Sequence, residues 1–403
     1  MRDGWVETTL GEISALQMGR TPSRRENSYW TDDLTYPFCT IADMDAKYVE
    51  PKREGVTKAA IMDGKAKMAT KGTLLMSFKL TIGRMGFAAR DIFPNEAIVM
   101  IEADESKVLN EFLYLRLASM DLTEGSGRAV KGSTLNSASI ASIAFLVPPL
   151  PEQKRIVDLI SSVDSYIEAL QQQLESTKKS RNAYVNTIVF ETFARGKKTK
   201  IADIAEVKGG KRLPKGTPWS EEPTDHRYIR ATDIKDGIIL TENLVYVPDD
   251  VWPVISRYVV NQGDVVITIA GTIGQVGVIP ASLDGVNLTE NAAKIVVDRK
   301  LVRSNYLGML LGSTYYQQDI DSKTKKTTQP KLGLNMINSI EIPLPELAEQ
   351  DEIFSVVSHF DSLIATTKDQ ITKANTLRSG LLANLLSGEH EIPESYDKAM
   401  SAA

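Results

Sequence analysis

Basic side chains grouped in loops are the residues of this sequence with the clearest chemistry. Lysine and arginine supply positive charge, and neighbouring serine, threonine and glycine residues supply neutral hydrogen-bond donors, a combination that suits phosphate groups. We predict that these loops contact the phosphates of DNA, with solvated surface charge as the alternative for any loop taken alone. The candidate DNA-binding residues are Arg20, Arg24, Arg25, Lys79, Arg84, Arg128, Lys131, Lys208, Lys211, Arg212, Lys215, Lys323, Lys325, Lys326 and Lys331.

The basic loops come in matched pairs. Residues 19–25 correspond to residues 208–215, and residues 127–134 correspond to residues 323–331, within a duplication of the chain. Recurrence at matching positions favours binding over incidental surface charge. Trp30 and Trp219 follow the first pair of loops and could stack on bases, although anchoring of a core is the interpretation that we favour.

Recognisable catalytic motifs are missing from the sequence. The three histidines are far apart and Cys39 is the single cysteine, so a zinc site or a Cys–His nucleophile has little support. Neither the Gly-rich loop of nucleotide hydrolases nor a Gly-x-Gly-x-x-Gly motif occurs. Asp43 has a counterpart in Asp233, which favours a capping or turn role over metal binding. We therefore expect a binding or scaffold protein that has no cofactor of its own.

Composition and charge leave a nucleic-acid partner open. The chain has 403 residues, of which 42% are hydrophobic and 25% charged, as in globular proteins of two or three domains. The net charge is −5, but residues 342–403 hold 10 acidic and 4 basic side chains, so the rest of the chain is close to neutral. Local clusters of charge attract phosphates even on a neutral domain. The single cysteine and the absence of a long apolar run predict a cytoplasmic protein outside the membrane.

An internal repeat organises the chain. Residues 148–189 match the residues 197 positions later at 11 places, beginning with Pro-x-Leu-x-Glu-Gln at Pro148 and again at Pro345. A second match, at an offset of 191, joins residues 72–86 to residues 263–277, and both copies contain Thr-Ile-Gly-x-x-Gly. The repeat of about 200 residues is too long for a solenoid, and it predicts two similar domains.

Each repeat is predicted to fold as an α+β domain followed by a long helix. The apolar runs at 74–78 and 265–269 indicate a buried strand, a tight turn and a second strand, and short helices are expected at 109–118 and 305–311. We predict small irregular sheets. The expected segments are a first domain at 1–150, a helix at 151–196, a second domain at 197–344, a helix at 345–388 and a disordered tail at 389–403.

Apolar residues with alternating steps of three and four predict that the two long helices bury their stripes against each other as an antiparallel coiled coil. The alternative is that each helix packs on its own domain. The predicted interface residues are Ile156, Ile160, Val163, Ile167, Leu170, Leu174, Ile353, Phe360, Ile364, Ile371, Leu381 and Leu385, with Val356 and Leu377 on the same stripe. Two similar domains related by such a pair would suit a partner with its own dyad symmetry, such as duplex DNA.

The doubled Pro-x-Leu-x-Glu-Gln and Thr-Ile-Gly-x-x-Gly motifs, within a duplication of this length, resemble the specificity subunits of type I restriction-modification enzymes. The resemblance covers the chain to about Gly388. It implies two target-recognition domains that each read one half of a bipartite, asymmetric DNA sequence. It also implies that the paired helices set the spacer and dock modification (methyltransferase) subunits, with a restriction subunit as a further partner.

The same resemblance implies that the chemistry belongs to those partners. S-adenosylmethionine would serve the modification subunits, and ATP with Mg²⁺ would serve the restriction and translocation subunits. Two alternatives remain open at this point. One is a specificity subunit of a modification-only or phage-exclusion system, and the other is a coiled-coil adaptor that binds proteins and not DNA.

Overall fold

Each globular domain of the chain is built around a small sheet, and a long helix follows each domain. The computed structural model describes residues 4–122, 135–235, 237–324 and 330–400. The chain divides into two units, Met1–Ala169 with Ile371–Ala403, and Leu170–Gln370. Each unit thus contains one globular domain and part of each long helix. The predicted α+β class, with two similar domains and two long helices, is confirmed.

The first repeat contains eleven strands, five α-helices and two short 3-10 helices within the described residues. The strands are β1 (Val6–Thr9), β2 (Ser14–Met18), β3 (Trp30–Thr31), β4 (Phe38–Cys39), β5 (Tyr48–Val49), β6 (Gly55–Val56), β7 (Leu74–Ser77), β8 (Met85–Ala88), β9 (Phe93–Pro94), β10 (Ile98–Ala103) and β11 (Ala144–Val147). The helices are α1 (Leu10–Ile13), α2 (Lys58–Met62), α3 (Asn110–Ala118), α4 (Ser137–Ala141) and the long α5 (Leu150–Ala194).

The second repeat has a closely similar order of elements. Its strands are β12 (Lys198–Lys200), β13 (Ala205–Gly209), β14 (Arg227–Ile229), β15 (Ile234–Lys235), β16 (Ile238–Ile239), β17 (Val245–Tyr246), β18 (Val259–Val260), β19 (Val265–Thr268), β20 (Val276–Val278), β21 (Val286–Leu288), β22 (Ala292–Val297) and β23 (Glu341–Pro343). Its helices are α6 (Ile201–Ile204), α7 (Trp252–Ile255), α8 (Ser304–Leu311), α9 (Thr314–Thr324), α10 (Leu334–Asn338) and the long α11 (Leu347–Leu386), and α12 (Ser395–Met400) follows.

A four-stranded antiparallel core is common to the two central sheets. Its strand order is β2-β10-β7-β8 in the first unit, where β5 adds a parallel edge strand, and β13-β22-β19-β20 in the second. The pairing brings the ends of β2 and β7 and the starts of β8 and β10 to one edge of the sheet, and their counterparts in the second unit do the same. We call this edge, with its connecting residues 19–26, 78–84 and 94–97, or 210–217, 269–275 and 289–291, the loop edge.

Burial on both faces of the sheet explains the unbroken apolar runs. In β7, Leu74 and Met76 join the core that α3 covers, whereas Leu75 joins a separate cluster with Ile98 and Met100. Alternate strand residues point to opposite faces, so a strand with two covered faces needs apolar residues throughout. Val265, Val266 and Ile267 of β19 divide in the same way between two clusters.

A glycine begins the first loop of each loop edge because the chain passes close to a neighbouring backbone there. A Cβ atom added at Gly19 would lie 2.1 Å from the carbonyl oxygen of Asn95. At Gly210 it would lie 2.1 Å from the carbonyl oxygen of Thr289. No side chain fits at those distances, so these two glycines set the path of the basic loops.

The two long helices run antiparallel to each other within each unit. In the first unit the Arg378 guanidinium binds the Asp164 carboxylate, with Nη2 3.1 Å from Oδ2. In the second unit Arg181 binds Asp361 in the same way, with Nη2 3.2 Å from Oδ2. The two pairs are one repeated pair, since each residue lies 197 positions from its counterpart. The duplication therefore extends to contacts between the helices.

The twelve predicted coiled-coil residues are all buried or half-buried. Near the helix ends they also join the cores of the domains, as Ile156 and Leu385 do in the first unit and Ile353 in the second. The prediction was wrong for Val356 and Leu377, which are 41% and 57% exposed. The helix turns 3.6 residues per turn, and the adjacent Val357, 0% exposed, takes the buried position instead.

Small side chains occupy further buried positions of the long helices. Thr177, Thr367 and Ala374 are each at most 9% exposed, and the two hydroxyls donate to backbone carbonyls one turn earlier. A search for large apolar residues at coiled-coil spacing does not detect such positions.

A buried glutamine fastens each long helix to the domain that precedes it. The Gln153 amide accepts a hydrogen bond from the Leu109 N–H at 2.8 Å and donates to the carbonyls of Lys107 and Pro148 at 2.9 and 2.8 Å. Gln350 accepts from the Arg303 N–H at 2.8 Å and donates to the carbonyls of Leu301 and Pro345 at 3.0 and 2.8 Å. Both side chains are 0% exposed. This role accounts for the repeated glutamine at the start of each helix.

The expectation of a disordered tail after residue 388 is wrong for residues 392–397. Ile392 is 6% exposed, and its carbonyl accepts a hydrogen bond from the Arg155 guanidinium at 3.4 Å. Asp397, in α12, binds Arg155 through Nε and Nη2 at 3.0 and 2.8 Å, and this hydrogen bonding lowers the pKa of Asp397. Acidic composition suggested disorder, but a buried arginine on α5 needs a carboxylate partner.

Replacing Gln153 by alanine should destabilise the first unit by about 2 kcal/mol or more, because a buried N–H and two carbonyls lose their partner. The exposed Gln171 lies on the same helix, and Gln171→Ala should change the free energy of unfolding by less than about 0.5 kcal/mol. Urea unfolding followed by circular dichroism measures both. Equal losses in the two variants would contradict the fastening role of Gln153.

Two adjacent glycines provide a matched test of the close approach at the loop edge. Gly210→Ala should cost about 1–3 kcal/mol of stability, since the new methyl group meets the Thr289 carbonyl. Gly209→Ala should cost nothing measurable, because a Cβ at that residue meets no atom within 4 Å. Thermal melting of the two variants separates these outcomes, and identical melting temperatures would show that the loop yields freely.

Candidate nucleic-acid interface

A buried hydroxyl holds the Thr-Ile-Gly turn of each loop edge in shape. In the first unit, Ser77 Oγ donates to the Thr81 carbonyl at 2.5 Å and accepts from the Arg84 N–H at 3.0 Å. In the second unit, Thr268 Oγ1 donates to the Thr272 carbonyl and accepts from the Gln275 N–H at 2.9 Å. The turns are therefore rigid supports for whatever side chains they present.

In each unit a further hydrogen bond joins the loop edge to the residue that follows the second basic segment of the sequence. Leu135 N–H donates to the Phe78 carbonyl at 3.0 Å, and Leu332 N–H donates to the Ile269 carbonyl at 2.9 Å. Leu135 directly follows residues 123–134, and Leu332 directly follows Lys331. With the three connecting stretches of the loop edge, four separate stretches of sequence thus meet there in each unit.

Arg24 is committed to the fold of the first unit. Its guanidinium makes two hydrogen bonds to the Glu54 carboxylate, at 2.6 and 2.7 Å, and lies 3.6 Å above the Trp30 ring. The hydrogen bond to Glu54 raises the pKa of Arg24 above its ordinary value. The charge of Arg24 is thus compensated by Glu54, which the sequence did not indicate.

The remaining described cations of the first loop edge keep their charge available. Arg20 donates to the Gly64 carbonyl at 2.5 Å and Arg84 donates to the Ile41 carbonyl at 3.3 Å, both neutral partners. Arg25 and Lys79 form no ion pair with any residue that the structure describes. No described carboxylate compensates the positive charge of these four side chains.

In the second unit, three of the predicted cations are paired with carboxylates. Arg212 binds Glu290 at 2.5 Å, Lys208 binds Glu206 at 2.7 Å, and Lys323 binds Asp319 at 2.5 Å. Lys208 lies on β13 and Lys323 on α9, outside the loop-edge residues.

The other predicted DNA-binding cations of the second unit that the structure describes have no carboxylate partner within the described residues. Lys211 lies 5.8 Å from the Tyr258 ring centroid, and within the described ranges Lys211, Lys215 and Lys331 form no ion pair. Arg20 and Lys211 are counterparts at the offset of 191 and both directly follow the tightly packed glycine. Arg128, Lys131, Lys325 and Lys326 lie outside the described residues.

The sequence analysis did not identify two carboxylates that lie at the loop edge. Glu96 accepts a hydrogen bond from the Thr21 hydroxyl, and Glu290 accepts one from Arg212. Thr21 and Arg212 are counterparts, so in both units a hydrogen bond joins this position to a glutamate just before the next strand of the sheet. The sequence does contain a glutamate two residues before each of the matching strands β10 and β22. These two glutamates lie 194 positions apart, whereas the surrounding repeat has an offset of 191.

Trp30 packs against a buried cluster, as favoured from the sequence, whereas the favoured core role is wrong for Trp219, which is 38% exposed. Trp30 packs edge-on against Phe38, with ring centroids 4.9 Å apart, and Trp219 packs against Tyr228 at the same distance. Trp30 also donates from Nε1 to the Ser23 carbonyl at 3.1 Å, which ties the basic loop to the core.

The candidate chemical groups outside the loop edge have structural partners. Asp43 accepts from the Thr40 N–H at 2.9 Å and Asp233 accepts from the Arg230 N–H at 2.8 Å, so both cap short turns as expected. Burial raises the pKa of Cys39 to about 12, which leaves it a neutral thiol at physiological pH. Among the described residues, no three His, Cys, Asp or Glu side chains are grouped as a metal site would need.

Within the same residues, no helix is both long and apolar enough to cross a bilayer.

Comparisons with known proteins agree with this doubled architecture. The family model for the type I restriction modification DNA specificity domain matches residues 2–178 and again residues 196–375. The chain is 25% identical to the type I restriction enzyme EcoBI specificity subunit of Escherichia coli, over 73% of this chain and 69% of that protein. It is 21% identical to the MjaIX specificity subunit of Methanocaldococcus jannaschii, over 97% of this chain and 94% of that protein.

Solved structures show the same fold at lower identity. The S subunit of a type I restriction-modification system from M. genitalium has a TM-score of 0.58 and 18% identity, with 95% of this chain and 96% of that chain covered. A chain from a structure of a type I R-M system has a TM-score of 0.61 and 15% identity, with 96% and 98% covered. Because each of the two matched family segments contains one sheet with its loop edge and most of the long helix that follows, this chain belongs to the family of type I restriction-modification DNA specificity proteins.

Proposed function

We propose that this chain is the sequence-specific DNA-binding subunit of a type I restriction-modification complex, and that each domain reads one half of a bipartite, asymmetric target. The observation that carries the proposal is the loop edge itself. It occurs once in each unit, and the same hydroxyl and glycine contacts hold it in both. Several of its cations, among them Arg20 and Lys211, pair with no carboxylate among the described residues.

Phosphate contacts would position each domain on the duplex. Arg20 and Lys211 follow equivalent glycines and have no acidic partner among the described residues, which supports a common role for them at the sugar-phosphate backbone. Such contacts fix the register of a protein on DNA but carry no sequence information. Polar and apolar side chains from the same turns would then read the base edges.

The long helices would set the unspecified spacer and dock the modification subunits. Two features support this role. The Gln153 and Gln350 amides attach each helix firmly to its domain, and the ion pairs of Arg181 and Arg378 repeat between the helices. A spacer-setting element needs such stiffness, because a flexible connection would let the half-site separation vary.

The catalytic steps would belong to partner subunits. Methyl transfer from S-adenosylmethionine, and ATP- and Mg²⁺-dependent translocation and cleavage, would take place in modification and restriction subunits, with this chain as a non-catalytic component in the cytoplasm. The support from this chain is that its candidate nucleophiles and carboxylates, such as Cys39 and Asp43, serve the fold.

Single-charge variants test the phosphate contacts. In the assembled complex with its modification subunits, Arg20→Ala or Lys211→Ala should weaken DNA binding and reduce the slope of log K against log salt by roughly 0.9 per lost contact. The matched control is Lys300→Ala in the second unit. Lys300 is exposed and follows the end of β22 that lies away from the loop edge, so this variant should leave the slope unchanged. A slope for Lys211→Ala equal to that of the control would refute the assignment of this residue.

A further inference from the structure

Leu80 combines two unfavourable features at the tip of the Thr-Ile-Gly turn in the first unit. Its side chain is 81% exposed to solvent. Its backbone has a φ of +65°, and it is the one non-glycine residue with positive φ in the part of the chain that the structure describes. Left-handed backbone is disfavoured for leucine, and an exposed apolar side chain adds no core stability. Strain of this kind is usually retained where a side chain has a task.

The corresponding turn of the second unit shows that the fold does not need a leucine here. Gly271 occupies the equivalent position, with a φ of +77° that glycine adopts without strain. Both turns are held by the same buried hydroxyl, Ser77 or Thr268. The first unit therefore presents an apolar side chain on a rigid support that would fold as well, or better, without it.

The surroundings of Leu80 indicate what that side chain meets. Lys79 precedes it, Arg84 completes the turn, and neither has an acidic partner among the described residues. A ligand that fits this surface would place negative groups against Lys79 and Arg84 and an apolar group against Leu80. Duplex DNA has this character, since phosphates surround base faces and thymine methyl groups.

We propose that Leu80 makes an apolar contact to bases in the half of the target that the first unit reads, a contact that Gly271 cannot make in the second. The inference rests on the proposed DNA-binding function and names a specificity-determining residue for it. Two sources offer the apolar surface, the 5-methyl group of thymine and the face of a base at a partly opened step.

The test uses Leu80→Gly in the complete complex with its modification subunits. This variant copies Gly271 and relieves the strained backbone, so its melting temperature should be unchanged or higher. Its affinity for a duplex carrying the target motif, identified from the methylated sites of the host genome, should fall about tenfold or more. The salt slope should stay as in the wild type, because no phosphate contact is lost. Leu80→Ala should show the same loss of affinity.

Two DNA probes distinguish the sources of the contact. If Leu80 touches a thymine methyl group, replacing that thymine by uracil should weaken the wild-type complex and leave Leu80→Gly unaffected. If it enters an opened step, 2-aminopurine beside that step should brighten with the wild type and not with Leu80→Gly. The control is Val6→Ala, which removes an exposed apolar side chain in β1. This strand precedes the start of β2, the end of β2 that lies away from the loop edge, so the variant should change neither affinity nor fluorescence.

Two results would overturn the inference alone. One is wild-type affinity in Leu80→Gly, and the other is a loss of affinity while both probes respond identically in wild type and variant. A wild-type complex that binds the target duplex no better than unrelated DNA would overturn the proposed function and this inference together.

Discussion

One buried amide attaches each long helix to its domain, beside the apolar contacts that Ile156 and Ile353 make with the domain cores. Gln153 and Gln350 satisfy the same three kinds of backbone group in the two units, at distances of 2.8–3.0 Å and with no solvent exposure. Removing such an amide would leave buried polar groups without partners, which a fold tolerates poorly. A domain held in this way keeps a defined orientation relative to its helix, and a defined orientation is what a protein that measures a half-site separation requires.

The repeated architecture supplies two equivalent loop edges, and local substitutions make them different. Thr21 and Arg212 occupy one equivalent position, Arg84 and Gln275 another, and Leu80 and Gly271 a third. The supports beneath these residues, namely the packed glycine and the bridging hydroxyl, are the same in both units. Equivalent frameworks with different side chains are well suited to reading two different half-sites, which is the property that an asymmetric target demands.

Much of the fold could be predicted because the repeat and the apolar periodicity are local patterns in the sequence. The strand pair after residue 72, helix α3 and the two long helices follow from such patterns. The partners of the cations could not be predicted, because Arg24 and Glu54, or Arg212 and Glu290, are brought together by sheet pairing between distant segments. The ordered tail was missed for the same reason, since Arg155 and Asp397 are far apart in the sequence. Leu80 carried no signal, because exposure and a positive φ are visible only in three dimensions.

The central claim is that each domain independently reads one half of the target. It is tested most directly by exchanging residues 1–149, the part before α5, for the same part of another family member and mapping the methylated sites of the host genome. The account predicts a new sequence in one half of the bipartite motif, with the other half and the spacer length unchanged. A motif that changes in both halves, or that does not change at all, would contradict it.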